Sequence, residues 1–208
     1  MKSLARSARL REVDPAPPDW EVAFGRKAPV EVDLGCGRGD YAWQRARACR
    51  EVNVVALDSR KKWIDRLRER GNRQGVDNLR AIRCDVTSDL PILFAPKFVS
   101  AFTIHHPDPW WKKRHRKRRL VQTHLVEQLA RLLVPGGWVF LQTDVPDMAD
   151  QIRSTFAANP LFRSTDAVAI QATRMGGLQS HREKKCQQLG IPVTRLAYVL
   201  ENKERIAS

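Results

Sequence analysis

Short apolar runs alternate along this 208-residue chain with stretches of helical period. Val30 to Leu34 (VEVDL), Asn53 to Leu57 (NVVAL), Asn78 to Cys84 (NLRAIRC), Phe98 to Ile104 (FVSAFTI) and Trp138 to Gln142 (WVFLQ) read as strands. Short runs of this kind, bounded by turn signals, suit a buried sheet. Between them, residues 40–50, Arg60 to Gly71, Arg116 to Leu133 and Asp147 to Ala157 read as helices. Ser59 is placed to cap the second of these. In the third, Leu120, Val121, Leu125, Leu129, Leu132 and Leu133 recur at helical spacing, and Pro135-Gly136-Gly137 stops it. The alternation predicts an α/β fold: a doubly wound, mostly parallel sheet with helices on both faces. Two further strand candidates, Ala167 to Thr173 and Thr194 to Leu200, would add an antiparallel C-terminal edge. Ahead of the first strand, residues 1–28 read as irregular, since Pro15, Pro17 and Pro18 cannot sit in a helix interior. The expected organisation is a basic, flexible arm over residues 1–25 and one domain over 26–208, without internal repeats.

The polar positions gather where the strands end. Asp33-Leu34-Gly35-Cys36-Gly37-Arg38-Gly39 follows the first strand, with glycines that permit a sharp turn and let a ligand lie against bare main chain. Asp58 ends the second strand and can accept from ribose hydroxyls; Asp85 ends the third and can accept from an adenine amino group. Open α/β sheets bind ligands at this end of their strands. The glycines are spaced GxGxG, not the GxGxxG of nicotinamide-binding sheets. Three acids at successive strand ends would repel a pyrophosphate and suit a cationic nucleoside such as S-adenosylmethionine.

The fourth strand runs into Pro107-Asp108-Pro109-Trp110-Trp111 and then Lys112 to Arg119 (KKRHRKRR), seven Lys or Arg in eight positions. The prolines force the chain out of the sheet and stiffen the turn around Asp108. One carboxylate, two indoles and a dense cationic run thus arrive together, as carboxylate chemistry beside a phosphate-binding surface requires.

Charge widens this picture. The net charge is +14 with a pI near 10.3, an imbalance that speaks to partners and points to a polyanion, nucleic acid first. Cys36, Cys49, Cys84 and Cys186 show neither CxxC nor zinc spacing, so reduced thiols in a cytoplasmic protein are expected, with no metal. No run approaches 18 apolar residues, so no membrane span is expected.

These motifs resemble the tRNA (guanine-N7-)-methyltransferase family, a branch of the Rossmann-like S-adenosylmethionine-dependent methyltransferases. The resemblance runs from about Phe24 to the C-terminus and is most specific at PDPWWKKRHRKRR, with further matches at Phe24-Gly25, Thr143-Asp144 and the tail from Ser180. It implies S-adenosylmethionine as cofactor, held by Asp33, Gly35, Gly37, Gly39, Asp58, Asp85 and Asp108, and Asp108 as the catalytic residue. It implies substrate contacts from Lys112, Asp144, Ser180, His181, Arg182 and Glu183, and tRNA contacts from Arg114, His115, Arg116, Lys117, Arg118 and Arg119. The target it implies is a variable-loop guanine, usually tRNA position 46. No obligate protein partner is evident. The sequence departs from the family at His105-His106, in place of an asparagine or aromatic pair, and at Arg182, in place of an aromatic. Two other readings stand beside it: a methyltransferase acting on another base or RNA, and a non-catalytic RNA-binding protein that keeps the fold. A nicotinamide-dependent oxidoreductase is disfavoured by the glycine spacing.

Overall fold

The computed structural model describes residues 17–201. Seven strands form one sheet: β1 (Val30–Leu34), β2 (Asn53–Asp58), β3 (Leu79–Arg83), β4 (Val99–His105), β5 (Leu133–Thr143), β6 (Phe162–Thr165) and β7 (Thr194–Leu200), in the order β3-β2-β1-β4-β5-β7-β6. The pairs β3–β2, β2–β1, β1–β4 and β4–β5 are parallel, and β5–β7 and β7–β6 are antiparallel. The doubly wound, mostly parallel sheet with an antiparallel C-terminal edge is therefore the architecture of the chain.

The apolar runs become strands because both sheet faces are covered. All of β1 and β2 is buried, as parallel strands between two helical layers must be. On one face lie α1 (Trp20–Phe24), α4 (Val86–Leu93), α5 (Thr123–Leu132) and α6 (Pro146–Ala157), whose Phe24, Leu90, Leu125 and Ile152 pack against Val32, Leu57 and Phe102. The other face carries α2 (Asp40–Ala48) and α3 (Lys61–Arg73), with Ala42, Ala46, Ile64 and Leu67 over Val54 and Ala56. There α7 (Ala167–Thr173) also covers Trp138 and Phe140 through Ala167 and Ile170. A short α8 (His181–Gln188) precedes β7.

Several local expectations change. Ala167 to Thr173 is a helix, not a strand: Asp166 caps it by accepting from the backbone of Val168 and Ala169, and its apolar residues recur at helical spacing. The edge strand expected there is β6. The helix expected from Arg116 to Leu133 begins only at Thr123; Lys113–Arg118 is a 3-10 turn, and the chain then runs extended. Packed like charges disfavour a helix, and the buried Arg119 pins the extended stretch. Pro135-Gly136-Gly137 lies inside β5, at the irregular start of its pairing with β4. Ser59 does not cap α3; Arg60 occupies that position, and its backbone N–H goes to Asp58. Residues 20–24, expected in the arm, form α1 and send Trp20 and Phe24 into the core. The rest of the expected arm, up to residue 16, lies outside the described residues. Among the described residues no helix is long and apolar enough to cross a membrane.

Two contacts fix the frame beneath the first loop. Arg45 of α2 donates to both carboxylate oxygens of Glu31 in β1, each at 2.7 Å, inside the molecule. Gly39, the N-cap of α2, has φ +72°, and a Cβ there would meet the Leu67 side chain at 2.3 Å. Gly39→Ala is therefore expected to destabilise the fold by about 2–5 kcal/mol, from left-handed backbone strain and overpacking together. Urea denaturation of the two proteins measures it.

Candidate active site

The sheet order reverses between β1 and β4, whose following elements go to opposite sides, and a cleft of about 470 Å³ opens at that point. A larger cavity of about 760 Å³ lies beside the β3 edge, lined by Trp20, Leu67, Val76 and Leu79, away from the strand ends that carry the glycine loop and Asp108.

One wall of the cleft is the loop after β1. Gly35, Gly37 and Gly39 all have positive φ, at 71°, 56° and 72°, so the loop needs glycine at each. Its shape is held from below by Asp58. One Asp58 oxygen accepts from Gly37 N at 2.9 Å and Arg60 Nη2 at 3.0 Å; the other accepts from Arg60 N at 2.8 Å and Nε at 3.0 Å. Asp33 faces the cleft but is buried, and it accepts from Thr103 Oγ1 at 3.2 Å. Burial pushes its carboxyl up to about 7, the Thr103 hydrogen bond opposes, and the nearby Asp58 charge adds to the rise.

The opposite wall is the turn after β4. His106 and Trp110 bracket it, both with φ near 47°, an uncommon conformation for residues of their size. His106 N donates to Gln142 O at 2.8 Å, and Arg119 Nε donates to Pro109 O at 2.8 Å. Arg119 also donates to Gln151 and Asp147. The turn is thus clamped at both ends. At its tip Asp108 is exposed and makes no hydrogen bond among the described residues, although it lines the cleft.

The third side comes from β5 and α8. Asp144 meets His106 Nδ1 at 2.9 Å and accepts from Arg182 Nη2. Burial would raise its carboxyl, but the hydrogen bonds of Arg182 and His106 win and hold it at about 2. Ser180 caps α8 in a capping box with Glu183, and Gln142 Nε2 donates to the Ser180 hydroxyl at 2.8 Å.

The structure gathers Asp33, Gly35, Gly37, Asp108, Asp144, Ser180, His181 and Arg182 around the cleft. It sets others apart. Gly39 caps α2, and Asp58 lies behind the loop rather than on the cleft wall. Asp85 caps α4 by accepting from Thr87 N at 3.1 Å. Glu183 is buried and paired with Arg195 at 2.6 Å. Lys112 and the 3-10 turn lie outside the lining residues, with Arg114, Lys117 and Arg118 exposed. Arg118 sits over the Trp110 ring, whose edge His115 also meets. Arg116 pairs with Asp147 at 3.1 Å. Arg119, expected at the RNA, is 5% exposed and spends its donors inside the protein.

Residues not singled out for the site also line it: Tyr41, Arg60, Trp63 and His105. Tyr41 lies two positions past Gly39, which is the one signal that placed it near the cleft. Its ring is 4.1 Å from that of His105, and burial pushes the His105 imidazole down to about 3.

A family model described as "Putative methyltransferase" matches residues 27–196. The curated tRNA (guanine-N(7)-)-methyltransferase of Synechococcus sp. (strain JA-3-3Ab) is 37% identical over 188 residues, covering 90% of this chain and 78% of that protein. Its counterpart in Myxococcus xanthus (strain DK1622) is 37% identical over 166 residues, covering 76% of this chain and 81% of that protein. The chain belongs to the tRNA (guanine-N7-)-methyltransferase family. Among solved structures, the 16S rRNA methyltransferase KamB superposes with TM-score 0.64 at 18% identity, over 94% of this chain and 98% of that one. The aminoglycoside resistance methyltransferase NpmB1 gives 0.58 at 17% identity, over 88% and 92%. These likenesses show the Rossmann-like methyltransferase fold.

In this member of the tRNA (guanine-N7-)-methyltransferase family, the raised Asp33 carboxyl has a consequence for stability. Its folded value of about 7 stands above the ordinary 3.8, so its contribution is fully present below about pH 4 and is lost as the pH rises through 7. In Asp33→Asn that loss is absent. Urea midpoints taken between pH 4 and 8 are expected to fall more in the wild type than in the variant.

Proposed function

We propose that the protein transfers a methyl group from S-adenosylmethionine to N7 of a guanine in tRNA, at the variable-loop position 46. The observation that carries this is Asp108: a carboxylate on a turn clamped at both ends, without a hydrogen-bond partner among the described residues, facing the glycine loop across the cleft. The relatives named above bear that activity in their names.

The cleft residues fit the cofactor. The glycine loop offers bare main chain, and Gly35 and Gly37 would bring a Cβ no closer than 3.6 Å to any neighbour, so space lies over both. Asp33 would offset positive charge. Asp58 would take the ribose hydroxyls in exchange for Arg60, whose side chain is 57% exposed and can move away. The cofactor supplies an electrophilic methyl on a sulfonium. Asp85, which caps α4, would meet the adenine amino group with the oxygen that Thr87 leaves free.

Guanine N7 carries a lone pair and no proton, so it attacks the methyl carbon in line while the sulfur–carbon bond breaks. The sulfur keeps that electron pair, and the positive charge passes to the purine. No base is needed to start this step. The protein's tasks are orientation and stabilisation of the growing charge on the base. Asp108 suits both, since it can accept from guanine N1–H and N2–H. Asp144 suits them less, because His106 and Arg182 already engage it. Trp111, 72% exposed beside Asp108, offers a surface on which a base can stack.

Labelled methyl transfer to tRNA lacking the mark, followed by borohydride–aniline cleavage, tests this reading. Cleavage at the variable-loop guanine with wild type and at least a hundredfold less with Asp108→Ala is expected, in line with removal of one transition-state electrostatic partner (about 10²–10³). Methylation without cleavage would reject N7, and no transfer at all would return the non-catalytic reading.

The cationic run gives a second test. Arg114, Lys117 and Arg118 are exposed, whereas Arg119 is internal. Replacing those three by alanine should reduce the salt slope of tRNA binding by about 2 log units per log unit of salt. Arg119→Ala should leave the slope unchanged and lower the turnover rate, by loosening the turn that holds Asp108. Filter binding at several salt concentrations separates the two.

A further inference from the structure

The geometry points to a zinc site at the back of the cleft, formed by His106, Asp144 and Cys186, whose occupation shuts the site. One donor atom from each of these residues lies within 4.8 Å of the others. They come from three elements: the exit of β4, the end of β5 and the middle of α8. The His106 and Asp144 side chains are 7% and 13% exposed, and Cys186 is fully buried. An imidazole, a carboxylate and a thiol converging out of water make a set that zinc favours and that magnesium or calcium does not.

A second observation concerns His106 alone. Its Nε2 is buried and has no hydrogen-bond partner among the described residues. Nδ1 faces Asp144 at 2.9 Å, so it is the ring nitrogen that shares the cluster with Asp144 and Cys186, and a metal there would leave the ring proton on Nε2. Burial lowers this imidazole despite the carboxylate beside it, which favours the neutral form a metal needs. The Cys186 thiol is fully buried beside Asp144, and a thiol in such a place is protonated without metal.

Coordination therefore releases one proton, from the Cys186 sulfur to solvent, and forms a bond from the thiolate to the metal. The two anionic ligands then balance the cation's charge. In a tetrahedral zinc site the ligand atoms stand about 3.5 Å apart, so the His106–Asp144 pair, now at 2.9 Å, opens slightly around the metal. Arg182, half exposed, gives up its hold on Asp144 as this happens. The fourth coordination position opens toward the cleft that His106 and Asp144 line. The inhibitory consequence rests on the methyl-transfer reading above; the binding itself does not.

Cobalt(II) serves as the spectroscopic probe, titrated into the full chain under reducing conditions. One equivalent should give intense tetrahedral visible bands and a thiolate-to-cobalt charge-transfer band, and zinc should displace it. Cys186→Ser should abolish the charge-transfer band, and His106→Asn, which tolerates the left-handed backbone, should weaken binding at least tenfold. Cys49→Ser, at a half-exposed cysteine elsewhere, should leave the spectrum unchanged. Circular dichroism confirms that each variant is folded. A pale octahedral spectrum, or a charge-transfer band that survives Cys186→Ser, would overturn the site. With one equivalent of zinc, wild-type methyl transfer should stop while Cys186→Ser continues; zinc binding without loss of transfer would overturn the inhibitory role. If the wild type transfers no methyl group even without metal, the proposed reaction fails, and the cobalt spectra still decide the site.

Discussion

A buried guanidinium holds the candidate site in shape. Arg119 carries a full charge inside the protein, and such a charge persists only where acceptors surround it. It finds them on the β4 exit at Pro109, and on α6 at Asp147 and Gln151. Gln151 in turn donates to Val121 O at 2.9 Å, so the extended stretch after the 3-10 turn is fixed by the same residues. Every other placement in the opposite wall follows. Asp108 stays free because its neighbours are not: two prolines remove backbone freedom, and the carbonyl after it is already bound. Under the proposed function, a carboxylate held by its own turn, with no hydrogen-bond partner among the described residues, would meet developing charge with little reorganisation.

The sheet was legible because parallel strands covered on both faces carry apolar runs, as β2, β4 and the second half of β5 do, while β1 keeps the alternation of Val30, Val32 and Leu34. The glycine loop and the proline turn were legible because both depend on backbone chemistry that few residues supply. The helices at the C-terminal end were harder. Ala167 to Thr173 is short and apolar, a run that fits a strand or a helix by composition. The deciding signal was Asp166, a cap just ahead of it. Ser180 and Glu183 carried a readable signal as well, since serine followed three residues later by glutamate is a capping box. Ser180 serves both positions at once, because it caps α8 and lines the cleft.

The cationic run shows what composition cannot separate. Its residues look alike in the sequence, yet Arg114, Lys117 and Arg118 face water, Arg116 pairs with Asp147 and Arg119 lies inside. Only the tertiary position of Asp147 and Gln151, some thirty residues further on, distinguishes them. The like charges also explain the failed helix. Adjacent cations repel at helical spacing, so the stretch stays a short 3-10 turn and the apolar period takes over at Thr123.

Charge is partitioned between the floor and the rim of the cleft. At the floor, His105 is neutral, and in this arrangement its Nδ1 accepts from Gln142 Nε2, which leaves the ring proton on Nε2. That Nε2, Tyr41 Oη and His106 Nε2 are buried without hydrogen-bond partners among the described residues. Each such group costs about 1–3 kcal/mol of stability while it stays unpaired. Formal charge lies on Asp108, Arg60 and Arg182 at the rim, and on Asp144, which Arg182 pairs. Unpaired polar groups are rare in protein interiors and call for an explanation where they cluster. Here they cluster at the reversal point of the sheet, beneath a carboxylate that itself makes no hydrogen bond among the described residues. Around His105 and Tyr41 the floor offers hydrogen bonds but little charge, which under the proposed function would orient a polar ligand. On the same reading, a ligand that satisfied these groups would recover that stability on binding.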